Sequence, residues 1–263
     1  MSKKKKSTRG RKKAMSAALI TGLILVVGAL AYFGYEWWKF RRSRFVTYPE
    51  FGIPIPHPYS IHGIDVSKYQ ENISWESVKA MEVGPIRLQF AFIKATEGIG
   101  NVDRHFKRNW KKSREAGITR GAYHFFLATK DGKLQAQNFI KRVDLEPGDL
   151  PPVLDVEQTY GVANAVIKRE VKEWLQVVEG YYKVKPILYT NVDFYNRQLG
   201  ADFDDYPLWI AHYLQPNKPR IERDWAFWQH SETGRVNGIF SKVDFNVFNG
   251  DSTDFVELLY KAN

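Results

Sequence analysis

From residue 61 onward the chain alternates short apolar runs with amphipathic stretches. The runs cover 61–66, 90–95, 121–126, 153–156, 186–190, 208–211, 226–229 and 243–247. All are rich in Ile, Val, Phe, Tyr or Trp, as strands buried on both faces should be. Helical patterns separate the early runs. Asp103 is placed to cap a helix through Glu115, closed by Gly117. Residues 133–143 carry Leu134, Ile140 and Val143 on roughly one face. The clearest helix spans 162–182, with Ile167, Val171, Trp174, Leu175, Val178 and Tyr182 on one stripe.

Strand–helix alternation of this length predicts a parallel sheet. Eight candidate strands predict a closed α/β barrel with a filled interior. After Tyr206 the connections are too short for full helices, so the last strands should break the regular repeat. An open doubly wound sheet would carry a Gly-rich turn after its first strand. Here Asp65-Val66-Ser67-Lys68 follows instead.

The N-terminal part has a different pattern. Residues 14–35 form a charge-free run, long enough to cross a hydrocarbon core about 30 Å thick. Eight Lys/Arg precede it and four follow it. That asymmetry keeps the heavier flank cytoplasmic and puts the C-terminal bulk outside. The expected order is a basic cytoplasmic tail (1–13), one transmembrane helix (14–38), a Pro-rich juxtamembrane linker (39–60) and a barrel (61–263). The partner of the helix would be membrane lipid. Single-pass type II topology follows, and in a bacterium this would be an inner-membrane protein with the barrel on the outer or periplasmic face. A cleaved signal peptide, and hence a secreted protein, is the alternative, since Ala29-Leu30-Ala31 resembles a cleavage site. Pro-x-Pro spacing in 45–60 predicts an extended spacer.

Charge changes little for the barrel. The net charge is +10, but residues 1–44 hold twelve Lys/Arg and one acid, or +11. The remainder is therefore near +10 − 11 = −1. The barrel has no electrostatic footprint for nucleic acid. With no cysteine, disulfides and thiolate metal sites are excluded.

Candidate chemistry lies at strand ends, where a β/α barrel builds its site. PPVLDVEQ (151–158) puts Asp155 and Glu157 two residues apart on one strand face, about 7 Å at 3.3 Å rise per residue. Such a pair can take different protonation states and divide acid and base work. Asp65 and Asp244 fall at or inside other runs, and Glu97 follows the second. Acids are costly to bury unpaired, so several converging on one mouth argue for a site. Tyr123, Tyr189, Trp209, Tyr213 and Trp228 accompany them, and aromatic rings stack on the apolar faces of sugars. His124, His212 and His230 near strand ends raise a metal-dependent hydrolase as a second class. They are far apart in sequence and no H-E-x-x-H supports them, so no metal or other cofactor is expected.

The ordered motifs GIDVSKYQ (63–70), FAFIKATEG (90–98), GAYHFF (121–126), PPVLDVEQ, ILYTN (187–191), PLWIAHY (207–213), FWQHS (227–231) and VDFNVFNGD (243–251) resemble glycoside hydrolase family 25, lysozymes of the Chalaropsis type. The resemblance implies an irregular TIM-like (β/α)5(β)3 barrel. It implies a peptidoglycan partner and hydrolysis of the β-1,4 bond between N-acetylmuramic acid and N-acetylglucosamine. Carried over by motif, Glu157 matches the general acid, Asp155 its same-strand partner, Asp65 and Asp244 the other two acids, and Tyr189 a nearby tyrosine. The aromatic residues and Glu97 would serve substrate binding. Stereochemistry stays open between substrate-assisted retention, which the resemblance favours, and inversion by an activated water. A chitinase-like hydrolase and a non-catalytic wall tether are the remaining classes.

Overall fold

The computed structural model describes residues 20–35 and 45–262. They divide into two units, the first ending at Arg44 and the second beginning at Phe45. Residues 20–35 form helix α1, every residue of it exposed. At 1.5 Å per residue its length is about 24 Å. Among the described residues no helix is long and apolar enough to cross a membrane. The expected tail 1–13 lies outside the described residues, as do both ends of the expected span 14–38.

The second unit opens with two short strands, β1 (Phe45–Tyr48) and β2 (Ile53–Pro56), and then forms a closed barrel. The barrel strands are β3 (His62–Val66), β5 (Ile86–Glu97), β7 (Thr119–Phe125), β8 (Val153–Asp155), β9 (Ile187–Asn191), β10 (Leu208–Ala211), β11 (Phe227–Val236) and β12 (Ile239–Phe248). Two minor strands, β4 (Glu82–Val83) and β6 (Asn101–Val102), pair antiparallel with the ends of β5. Neighbours from β3 through β5, β7, β8, β9, β10 and β11 pair in parallel. β12 runs antiparallel between β11 and β3 and closes the ring. All eight apolar runs are thus barrel strands. Helices α2 (Trp75–Ala80), α3 (Phe106–Glu115), α4 (Gly132–Ile140), α5 (Asn164–Tyr182) and the single turn α6 (Val192–Phe194) follow the first five of them. No helix separates the last three strands, as the short connections predicted. Asp103 does not cap α3. Its carboxylate accepts from the Lys68 and His105 backbone N–H groups instead.

Alternation along the strands sorts the side chains. Inward-facing Phe90, Phe92, Val153, Ile187, Trp209, Phe227 and Phe248 form one buried cluster. Outward-facing Ala91, Ile93, Leu154, Leu188, Ile210, Trp228 and Phe245 join the helices in a second. Phe92 stacks on Trp209 with centroids 4.2 Å apart, and Phe90 meets Phe227 at 5.1 Å. These rings fill the barrel because their neighbours are glycines. A Cβ on Gly63 would stand 2.5 Å from Phe90, and one on Gly121 2.6 Å from Phe92. The final helix α7 (Ser252–Leu258) closes the end opposite the mouth, Phe255 resting on Phe90 and Phe248.

The segment 45–60 corrects the expectation of an extended spacer. Strands β1 and β2 form an antiparallel hairpin. Phe51, Ile53 and Ile55 are buried in the outer cluster. The reason lies in the missing helices. The outer faces of β11 and β12 have no helix of their own, and the hairpin covers them. Phe51 meets Phe245 at 5.3 Å, Phe45 meets Trp228 at 6.0 Å, and Tyr59 meets Trp225 at 5.7 Å. Prolines are tolerated there because a two-stranded sheet leaves edge positions whose N–H groups need no ladder partner.

Candidate functional site

At the C-terminal ends of the parallel strands, above the Phe92–Trp209 stack, lies a cavity of about 270 Å³. Asp65, Asp155, Glu157 and Asp244 line it together with Tyr123, Tyr189, Trp209 and Tyr213. Three of the acids arrive by strand parity, whereas Glu157 lies in the loop just past β8 and not, as expected, on the same strand as Asp155. Asp65 follows Gly63 inward on β3, Asp155 follows Val153 on β8, and Asp244 faces Asp65 directly in the antiparallel register of β12. The structure therefore brings together the four predicted acids and four of the five predicted aromatics.

Trp228 is a correction. It neighbours inward-facing Gln229, so parity turns it out of the barrel. There its ring packs on Phe45 and Tyr59 and its indole N–H donates to the His212 carbonyl at 2.8 Å. Glu97 also does not line the cavity. At the end of β5 it pairs with Lys94 at 2.6 Å. Lys94 does line it, its ammonium 4.5 Å from the Phe125 ring centroid. Among the described residues lining the cavity, Lys94 is the one basic side chain.

The histidines do not converge either. His124 faces outward between Thr96 (2.7 Å) and Gln135 (3.3 Å). His230 is buried among the Phe45, Trp228 and Phe245 rings, and His212 accepts from the Arg220 N–H. Among the described residues, the acidic or imidazole side chains whose ligand atoms lie close enough together to hold a metal ion are Asp131, Glu170 and Glu173, away from these histidines. Asp131 caps α4 there, while Glu170 accepts from Gly132 N–H and pairs with Arg169.

Two residues that motif reading passed over organise the floor of the site. Gln229 Nε2 and Asn246 Nδ2 each donate to Asp65 Oδ2 at 2.8 Å. Tyr189 and Tyr213 donate to Gln229 Oε1 at 2.8 and 2.6 Å, and Trp209 Nε1 donates to Asn246 Oδ1 at 2.8 Å. Parity was the available signal: Gln229 and Asn246 share the inward face with Phe227 and Asp244.

Burial and mutual repulsion set the protonation. Burial first, then the Glu157 charge, pushes Asp155 well above the usual carboxylate range. Glu157 is raised by burial and by Asp65, against an opposing pull from Lys94. Burial raises Asp65 as well, while hydrogen bonds from Asn246, Gln229 and Asp244 resist. Asp244 is pushed up to about 9 by burial and the Asp65 charge. The hydrogen bond within Asp155–Glu157 favours the proton on Asp155. Apart from that contact, Asp155 Oδ1 is buried without a hydrogen-bond partner.

A β/α barrel that gathers protonatable and ionised carboxyls at its mouth, beside aromatic rings, has the equipment of a glycoside hydrolase. The comparisons agree. Residues 64–239 match the model of "Glycosyl hydrolases family 25". The chain is 49% identical over 200 residues to the uncharacterized protein YegX of Escherichia coli K12, covering 76% of this chain and 74% of that one. It is 34% identical over 217 residues to Lysozyme M1 of Streptomyces globisporus, covering 75% and 71%. A family 25 glycosyl hydrolase structure from Bacillus anthracis superposes with a TM-score of 0.72 at 30% identity, over 81% of this chain and 99% of that one. The chain belongs to glycosyl hydrolase family 25, and it is a glycoside hydrolase.

The carboxyl cluster costs stability with a definite sign. Asp244 moves from an ordinary 3.8 to about 9, so folding favours its protonated form. Its stabilising contribution is complete below the unfolded value and is lost as pH rises through the folded one. Asp244→Asn keeps a donor toward Asp65 and removes the titration. Chemical unfolding across a pH series should show the fall in stability between about pH 4 and pH 9 become shallower by up to about 1.4 kcal/mol per pH unit. An unchanged slope would contradict this assignment.

Proposed function

We propose that this barrel is a retaining, substrate-assisted muramidase acting on peptidoglycan, with Glu157 as proton donor. The observation that carries the reading is the buried Asp155 Oδ1, which has no donor from any residue other than the neighbouring Glu157 carboxyl. A buried acceptor without a donor is unfavourable, and such a group invites a ligand N–H. The 2-acetamido group of an N-acetylated sugar supplies one. Its donation to Asp155 stabilises the Asp155 carboxylate and moves the shared proton to Glu157.

From that state the chemistry balances. The acetamido oxygen attacks C1 while Glu157 gives its proton to the leaving O4 of the next sugar, and the C1–O4 bond breaks. Asp155 holds the N–H of the resulting oxazolinium ring. Glu157, now a carboxylate, takes a proton from water as the water oxygen adds to C1 and opens the ring. Two inversions at C1 leave the β configuration. The ionised member of the Asp65–Asp244 pair stabilises the positive charge that develops at C1. Tyr123 and Tyr213 line the cavity and offer ring surface and hydroxyls to the sugar, while Trp209, packed between Phe92 and Tyr189, forms the floor beneath it. Lysozyme M1 supports the muramidase reading through its name and its 34% identity to this chain.

Purified peptidoglycan is the substrate for the test, with products read by mass spectrometry. The reading expects reducing-end N-acetylmuramic acid and no turnover of chitin. Glu157→Gln should lower the rate by roughly 10²–10⁴-fold. Equal release by wild type and variant would reject Glu157 as the acid and favour a tether. Chitin turnover without muropeptide release would favour a chitinase-like enzyme.

We infer that residues 14–38 anchor the chain in the bacterial inner membrane, with the barrel on the outer face. The charge-free run of 14–35 and its heavier N-terminal basic flank support this. The full-length chain should stay with membranes through alkaline carbonate extraction and be cleaved by protease added to spheroplasts. Release by carbonate, or protection from protease, would contradict the anchor or its orientation.

A further inference from the structure

The reaction needs Glu157 protonated when it meets the leaving oxygen, in a mouth where four carboxyls compete for protons. The structure contains a device that settles where one of those protons sits. Asp65 and Asp244 stand opposite each other in the β3–β12 register. Like charges directly opposite on paired strands repel, so the two share a proton. Which one keeps it depends on what else each touches.

Asp65 Oδ2 receives two amide N–H groups, from Gln229 and Asn246, both at 2.8 Å. An amide can turn either end to a neighbour, and here both ends are spoken for. Trp209 Nε1 is a donor only, and it points at Asn246 Oδ1 from 2.8 Å. Asn246 therefore has to turn its Nδ2 to Asp65. Tyr189 and Tyr213 fill both lone pairs of Gln229 Oε1 from 2.8 and 2.6 Å. Burial first, then nearby acids, keeps both phenols neutral and able to donate. Gln229 likewise turns its Nε2 to Asp65. Two donors on one oxygen favour the charged carboxylate.

We propose that Gln229 and Asn246 are positioning residues: with their N–H ends fixed by Trp209, Tyr189 and Tyr213, they hold the negative charge on Asp65 and the shared proton on Asp244, and the Asp65 charge helps Glu157 hold its proton once it receives one. The last step rests on Glu157 being the proton donor. Asp65 is the charge that most raises Glu157, and Lys94 opposes it. The other groups facing the pair are Asp155, Glu232 and the Tyr123 hydroxyl. All are acidic or neutral, so Lys94 is the opposing charge, and the hydrogen bond with Asp155 also draws the proton from Glu157. The two amides thus reach Glu157 without touching it. Their loss should change the pH at which the enzyme works, and not merely how fast it works.

The test uses the full-length chain with Gln229→Met, Asn246→Leu and the milder Tyr213→Phe. Two readouts are taken: the pH profile of kcat/KM on peptidoglycan, and ¹³C NMR titration of carboxyl-labelled aspartates, with Asp65 assigned through Asp65→Asn. Losing one donor should make Asp65 harder to ionise. Its ¹³C titration should move up by roughly one pH unit, and the alkaline limb of the kcat/KM profile should move down by a similar amount. Tyr213→Phe should shift both in the same directions by less. A lowered profile with unmoved limbs, or an Asp65 titration identical to wild type, would overturn the proposal and leave the amides a packing role. If wild type releases no muropeptides, the muramidase reading fails and the ¹³C titration alone still decides the relay. If Gln229→Met does not fold, Asn246→Leu and Tyr213→Phe decide it.

Discussion

Four carboxyl groups share a buried mouth with Lys94 as their cation, and they cannot all be ionised. The whole site follows from that crowding. Opposed strands place Asp65 against Asp244, and Asp155 at the end of β8 is followed two residues later by Glu157 in the loop beyond. Within each pair, burial and the neighbouring charge raise the affinity for a proton. Such a site loses stability near neutral pH and gains a protonated acid there. The opposite half of the barrel compensates with a dry aromatic interior, where Phe90, Phe92, Trp209 and Phe227 pack ring on ring over two glycines.

The same alternation that fills the interior selects the site. On β11, Phe227 and Gln229 point in while Trp228 and His230 point out. On β12, Asp244, Asn246 and Phe248 point in while Phe245 and Val247 point out. An inward polar residue above an aromatic floor is therefore either part of the acid cluster or a donor to it. Gln229 and Asn246 are donors. Outward residues on these last strands face the hairpin of residues 45–56, which takes the place of the absent helices.

Much of this is legible in the sequence, for a physical reason. Strands buried on both faces must be apolar throughout, so 90–95 and 208–211 stand out whatever their partners. An acid at the end of such a run is conspicuous, which is why the residue pattern alone gathers Asp65, Asp155, Glu157 and Asp244. What escapes it needs parity or tertiary context. Trp228 has the right residue type and lies in the right run, but one position decides whether a side chain faces the barrel mouth or the outer core. Glu97 ends the strand that carries Lys94 and holds that lysine, an ion pair that no spacing rule announces. In 45–60 the prolines outweigh a weaker sign, the alternation of Ile53 and Ile55 that marks one buried face of β2.

The central claim is that Asp155 awaits an acetamide N–H and that the acetamide oxygen is the internal nucleophile. It is tested most directly by ¹H NMR of the first-formed reducing end during peptidoglycan hydrolysis, before mutarotation. Substrate assistance predicts the β anomer. An α anomer as the first product would show a single inversion by water and contradict it.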